Sequence, residues 1–202
     1  MVELAAGLSA RGLRFTRPEK GLPSIQRYLE VDLPHVVQHK NMLYQRDARG
    51  EPLPPPLSWR GLNVTQVELS SLFNREGEGR RLLIAEGLFM YLDADTQRAL
   101  WREALEALRG GGVLLFDLVP SCEQPPPGLF GRALGALMSL FTGGKTFITD
   151  ARGREELLCE LRELGFAQVK LYDTSSVARE LKLPHPEAIT QQLIFEVRAP
   201  EL

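Results

Sequence analysis

Acidic residues recur where apolar stretches end in the first half of the sequence. Glu3 sits within Val2-Glu3-Leu4. Glu30 and Asp32 close Tyr28-Leu29-Glu30-Val31-Asp32. Glu68 ends a run rich in β-branched residues, and Glu86 follows Arg81-Leu82-Leu83-Ile84-Ala85. In an open parallel sheet, ligands lie beyond the carboxyl ends of the strands, so acids at four strand ends would converge on one cleft. A carboxylate ending a buried strand needs either a partner or a cleft, because burial without one is costly. Glu30 and Asp32 are two residues apart and so share a face. A carboxylate there can accept from both hydroxyls of a ribose, or it can complement the dipole of a following helix. Glu68 and Leu69 could meet an adenine, the acid accepting from the amino group and the leucine packing on the ring. A solvated strand end explains them equally well.

The small residues Ala5, Gly7 and Ser9 let the backbone pass close to a ligand beside Glu3. The dinucleotide fingerprint Gly-x-Gly-x-x-Gly is not met there, and none of the acids is flanked by a glycine-rich phosphate cradle. This disfavours a nicotinamide-dependent oxidoreductase. An acid-lined cleft with no phosphate cradle suits a nucleoside carrying a cationic centre, and S-adenosylmethionine is such a ligand. His35 and His39 share a helix face, but no third ligand is evident, so they read as surface histidines and no metal is expected. Tyr91 reads as structural. No residue is marked as catalytic.

These residues need elements to hold them. Strands are expected over 2–6, 25–33, 62–69, 81–85, 113–119, 167–172 and 192–197. Pro34 opens a helix with Val36, Val37, Lys40, Leu43 and Tyr44 at helical spacing. Asp93 or Asp95 caps a helix running to Arg109, closed by Gly110, Gly111 and Gly112. A further amphipathic helix runs from Asp150 or Ala151 to Gly165. The proline-rich stretch 49–56 is a loop, 74–80 is a turn, and Pro125 to Pro127 form a stiff connector. Strands alternating with helices argue for a mostly parallel sheet with helices on both faces. The apolar stretch 128–141 is expected to face a substrate pocket or a second subunit. It is too short to span a bilayer.

Composition narrows the class. The chain has 202 residues, 44% hydrophobic and 25% charged, which suits one globular domain spanning 1–202. A net charge of −2 offers no basic field for nucleic acid. Cys122 and Cys159 are too few for a disulfide framework, which fits a reducing cytoplasm. No signal peptide or membrane-spanning run is visible.

Four segments resemble a known family, the leucine carboxyl methyltransferase-like group of class I S-adenosylmethionine-dependent O-methyltransferases. They are Glu3-Leu-Ala-Ala-Gly-Leu-Ser9; Tyr28-Leu-Glu-Val-Asp-Leu-Pro34 followed by Lys40; Ala85-Glu-Gly-Leu-Phe-Met-Tyr-Leu92; and Gly144-Lys-Thr-Phe147 ahead of a helix ending in Leu164-Gly165-Phe166. The resemblance implies an α/β fold, a Rossmann-like seven-stranded, mostly parallel sheet whose last strand is antiparallel. It implies S-adenosylmethionine as cofactor. Glu3, Ala5, Gly7 and Ser9 would pass under its methionine part. Asp32 would hold the ribose hydroxyls with Glu30 beside it. Glu68 and Leu69 would meet the adenine, where the family more often has Asp-Leu. Glu86 would lie near the amino group or the reacting methyl.

Family members carry a helical segment ahead of the first motif, with an Arg for the cofactor carboxylate. This sequence opens at the motif, so the expectation is a short form with an open cofactor site, a start codon placed late, or a lost segment. Arg11 or Arg14 could supply a replacement charge. The implied reaction is methyl transfer to a carboxylate or hydroxyl of a small molecule, by positioning and without an essential general base. The expected partner is a small-molecule acceptor, with no nucleic acid and no membrane, and with room for a homodimer. The alternative is an inactive methyltransferase-like domain that serves as a binding module.

Overall fold

A computed structural model describes residues 1–16, 25–49, 51–73, 79–120, 150–185 and 192–201. Its centre is a seven-stranded sheet in the order β3-β2-β1-β4-β5-β7-β6. Here β1 is Val2–Leu4, β2 Tyr28–Asp32, β3 Leu57–Gly61, β4 Leu82–Ala85, β5 Val113–Leu118, β6 Gln168–Tyr172 and β7 Leu193–Arg198. The first five strands pair in parallel, and β7 runs antiparallel between β5 and β6. The order reverses beside β1: the chain moves outward to β2 and β3, then returns to place β4 on the other side. That reversal opens a crevice at the carboxyl ends of β1 and β4.

The helices are α1 (Arg11–Phe15), α2 (Pro34–Asp47), α3 (Ala94–Ala107), α4 (Arg154–Glu163) and α5 (Thr174–Glu180). Asp93 caps α3 by accepting from Thr96 N–H at 2.9 Å, and Gly110 and Gly111 end that region in the left-handed conformation. Leu100, Trp101, Ala104 and Ala107 form the buried stripe of α3. They pack under β4 and β5, where the Phe116 ring lies 5.0 Å from those of Phe89 and Phe195. Such aromatic contacts contribute beyond their buried area. Among the described residues, no helix is long and apolar enough to cross a membrane.

One element departs from the sequence expectation. Residues 62–69 do not form the third strand, which is Leu57–Gly61, directly after the proline-rich loop. The β-branched run instead folds into single 3-10 turns, Val64–Gln66 and Leu69–Leu72. Asn63 starts the first turn by accepting from Thr65 N–H at 3.1 Å. Val64 and Leu69 of the run, with Leu72 just after it, join the core without sheet pairing, and the second turn packs against α3. Tertiary burial outweighs β-propensity here. Two short helices, α1 and α5, were not expected. The connector at Pro125–Pro127, the apolar stretch 128–141, the segment Gly144–Phe147 and Cys122 lie outside the described residues.

Candidate functional site

The crevice at the sheet's reversal holds a cleft of about 400 Å³. Three strand ends build it. Ala5 lies just beyond β1, Asp32 and Leu33 at the end of β2, and Gly87 and Leu88 just beyond β4. Leu62, Asn63, Val64 and Thr65 close one wall after β3, and Tyr91 and Leu92 close another. A volume of this size matches small-molecule sites, which are mostly apolar with a few placed polar groups.

After β1 the chain turns through Ala5 and Gly7, both at φ 51°. A Cβ on Gly7 would meet nothing within 4 Å, so its backbone conformation, not space, favours glycine there. The turn carries Gly7 N–H to Asp32 Oδ2 at 2.7 Å. Leu33 N–H donates to Asp32 Oδ1 at 2.6 Å. Each carboxylate oxygen therefore has one backbone donor and keeps one further acceptor position. The Asp32 side chain is locked from below and open toward the cleft.

The other strand-end acids have different duties. Glu30 is buried, with Oε2 2.5 Å from Lys40 Nζ and Oε1 accepting from Gly12 N–H at 3.1 Å. The Lys40 ammonium also sits 5.3 Å from the centre of the Trp59 ring. Glu3 is buried too. It accepts from Arg11 Nη1 at 2.5 Å and from the Tyr28 hydroxyl at 2.5 Å. Burial pushes the Glu3 carboxyl above its ordinary range, against the pull of Tyr28 and Arg11. Burial and the Glu3 carboxylate together push the Tyr28 phenol up. Arg11 reaches past Glu3 to Glu86, an exposed carboxylate beside Gly87 on the rim. One guanidinium thus links the end of β1 to the end of β4.

Of the anticipated residues, the structure brings Ala5 and Asp32 into the cleft lining, with Gly7 bonded to Asp32 and Glu86 adjacent to Gly87. Ser9 accepts from Arg11 N–H at 3.1 Å, at the start of α1. Glu3 and Glu30 lie behind the lining in buried pairs. Glu68 is exposed and Leu69 is in the core, and neither lines the cleft. Their place after β3 is taken by Leu62, Asn63, Val64 and Thr65. The overlooked signal was Asn63, a residue that favours turns and helix caps, set inside an otherwise strand-like run.

A second set of buried polar residues holds the cleft walls. Asp117, near the end of β5, accepts from Gly87 N–H at 2.6 Å and also from Gln192. Gln97 on α3 donates to the carbonyls of Phe89 and Leu92, each at 3.0 Å, which fixes the turn carrying Tyr91. Gln97 in turn accepts from Arg152, which pairs with Asp150 at 2.5 Å and with Glu160. Burial would raise the Asp150 carboxyl, but the Arg152 guanidinium outweighs it and holds it below the ordinary 3.8. A lowered carboxyl contributes stability that is complete above its ordinary pKa and is lost as the pH falls through its folded value. Asp150→Asn should therefore lower the melting temperature at neutral pH by roughly 4–10 °C, from the loss of charge-assisted hydrogen bonds. The gap to the parent should narrow as the pH is taken below 3.8. A gap of constant size across that range, in melts followed by circular dichroism, would contradict this assignment.

Among the described residues, no cluster of three or more His, Cys, Asp or Glu side chains could hold a metal ion. His35 and His39 are exposed on α2, and Cys159 is exposed on α4.

No family model and no curated protein matches the sequence. Solved structures do match the fold. Human N-acetylserotonin methyltransferase, in complex with SAM, superposes with a TM-score of 0.60 at 14% identity, covering 98% of this chain and 47% of that one. An O-methyltransferase family protein from Burkholderia thailandensis superposes with a TM-score of 0.59 at 17% identity, covering 99% and 50%. The S-adenosylmethionine-dependent methyltransferase SibL, in its apo form, gives 0.59 at 14% identity, covering 98% and 50%. The chain spans about half the length of these proteins. It has the Rossmann-like fold of the S-adenosylmethionine-dependent methyltransferases, with the sheet order and the antiparallel β7 described above.

Proposed function

We propose that the cleft binds S-adenosylmethionine and that the protein transfers a methyl group to a carboxylate or hydroxyl oxygen of a small molecule. The observation that carries this reading is Asp32. It is a carboxylate at the end of β2, braced by two backbone donors, with one acceptor position left on each oxygen. That arrangement fits a pair of vicinal hydroxyls, such as those of a ribose. The apolar side chains of Leu33, Leu62, Val64 and Leu88 surround it and suit the faces of a purine. Glu86 lies on the rim paired with Arg11, so an amino acid ammonium there would share its carboxylate with that guanidinium. Glu3 and Glu30, already paired, act as supports.

When bound, S-adenosylmethionine supplies a sulfonium-activated methyl group. The chain's task is then to bind, orient and exclude water, bringing the acceptor oxygen to within about 3–3.5 Å in line with the methyl. A carboxylate acceptor is already ionised at neutral pH and needs no base. The described cleft lining contains no His or Lys to act as one.

The reading is tested by thermal melts with S-adenosylmethionine, S-adenosylhomocysteine or NAD. A ligand at 100 times its dissociation constant stabilises by about 2.7 kcal/mol, which raises the midpoint of a chain this size by roughly 5–10 °C. A shift with the two sulfur nucleosides and none with NAD is the expected result. No shift with any of them would overturn it. A shift without turnover on carboxylate and hydroxyl acceptors would favour a binding module over an enzyme.

A further inference from the structure

We propose that the buried Asp117 carboxylate is a counter-charge held behind the cleft wall, through which the cleft favours the cationic form of its nucleoside, the sulfonium S-adenosylmethionine, over the neutral thioether S-adenosylhomocysteine. The proposal rests on the nucleoside reading of the cleft given above. Among the described residues four carboxylates are buried: Glu3, Glu30, Asp117 and Asp150. Three of them face a cation directly. Glu3 meets Arg11, Glu30 meets Lys40 and Asp150 meets Arg152, each pair at 2.5 Å. Asp117, 3% exposed, differs. Its Oδ1 accepts from Gly87 N–H at 2.6 Å and its Oδ2 accepts from Gln192 Nε2. Both donors are neutral, and no Lys, Arg or His among the described residues pairs with it.

A buried carboxylate is costly when only neutral hydrogen bonds compensate it. The place of Asp117 shows what would complete it. Gly87, which donates to it, lines the cleft, so the charge lies one residue behind the lining. The lining itself holds no Lys, Arg or His. Its one acid, Asp32, is likewise bonded to neutral backbone groups. Arg11, which reaches the rim, is already shared between Glu3 and Glu86. Two carboxylates at the cleft are thus left without a protein cation. A positive charge on a bound ligand would be drawn by both, and the protein interior screens that attraction far less than water does. Asp32 stands in the lining and can also hold a neutral ligand through its hydroxyls. Asp117 stands outside the lining, so its influence on a ligand is one of charge. Transfer of the methyl group to an acceptor oxygen turns the sulfonium into a thioether, so the same charge favours release of the product.

Asp117→Asn removes the charge and keeps the shape. Its amide oxygen still accepts from Gly87 N–H, and Gln192 can turn its own amide to accept from the side-chain NH2. S-adenosylmethionine and S-adenosylhomocysteine are titrated calorimetrically against the whole parent chain and the variant. Comparing the ratio of the two dissociation constants between the proteins cancels the steric effect of the extra methyl. In Asp117→Asn the preference for the sulfonium should fall by about tenfold, with the affinity for S-adenosylhomocysteine held within about threefold. Without ligand, the variant should melt within about 3 °C of the parent or above it, since it loses an uncompensated buried charge. An unmoved ratio, or equal weakening of both ligands, would make Asp117 only a brace for the Gly87 turn and overturns the proposal. A variant that fails to fold, or melts more than about 10 °C below the parent, overturns it as well. Failure of both ligands to bind the parent, or binding that Asp32→Ala leaves unchanged, overturns the nucleoside reading itself and this proposal with it.

Discussion

Asp32→Ala is expected to weaken S-adenosylhomocysteine binding by at least about 100-fold. Two hydrogen bonds from ribose hydroxyls to an ionised carboxylate are together worth roughly 3 kcal/mol or more, and 1.4 kcal/mol is a factor of ten. The carboxylate is held ready by Gly7 N–H at 2.7 Å and Leu33 N–H at 2.6 Å, so little reorganisation offsets that gain. The same variant also strips those two backbone groups of their acceptor. Loss of binding must therefore be separated from a loosened turn. A ligand lacking the 2′ and 3′ hydroxyls makes the separation. It should bind the parent weakly and bind Asp32→Ala no worse than S-adenosylhomocysteine does. If the hydroxyl deletion costs the variant as much as it costs the parent, Asp32 does not hold the sugar.

The largest expected effect on stability lies ten residues apart in sequence, at Glu30 and Lys40. Both side chains are nearly excluded from solvent and their charges meet at 2.5 Å. Glu30→Ala would leave the Lys40 ammonium buried with no carboxylate, and would also orphan Gly12 N–H. Breaking a buried pair from one side costs about 3–5 kcal/mol, or roughly 10 °C or more in midpoint for this chain length. Removing both charges is gentler, since a buried pair replaced by apolar groups is often near neutral. The double variant Glu30→Gln with Lys40→Met should thus melt above Glu30→Ala. Urea titrations of the three proteins measure this directly. A cost below about 1 kcal/mol for Glu30→Ala would mean the pair is solvated in solution.

These two experiments divide a motif that looks uniform in the sequence. Glu30 and Asp32 are both acids, two apart on one strand. Lys40, brought back by α2, takes Glu30 and leaves Asp32 to the cleft. No spacing rule reveals that, because it depends on a helix returning across the strand end. The same holds for Glu3, whose partners Arg11 and Tyr28 come from two other elements. Strands β4 and β5 were legible because their residues are almost continuously apolar, as in strands buried on both faces. The start of α3 was legible because Asp93 precedes a helical stripe.

Strand β3 was not legible. Leu57-Ser58-Trp59-Arg60-Gly61 looks polar, and the neighbouring Leu62–Leu69 run carries the stronger β-propensity. Burial against α3 decided the outcome, and with it moved the wall of the cleft from Glu68 and Leu69 to Asn63 and its neighbours. Helix α1 is only five residues long, too short for periodicity to show. Helix α5 did carry a signal, since Asp173 accepts from both Ser175 N–H and Ser176 N–H, each at 3.2 Å.

The placement of β7 between β5 and β6 governs how the protein can be made. Strand β6 hydrogen-bonds to β7 and to no other strand of the sheet, and β5 meets β6 only through β7. During translation, β5 is made well before residues 193–198, and β6 shortly before them. Until those residues clear the ribosome, β5 keeps a bare edge along Val113–Leu118, and β6 has nothing to join. A long apolar strand with an open edge is a template for wrong pairing. The sheet is complete only once β7 has paired with both β5 and β6.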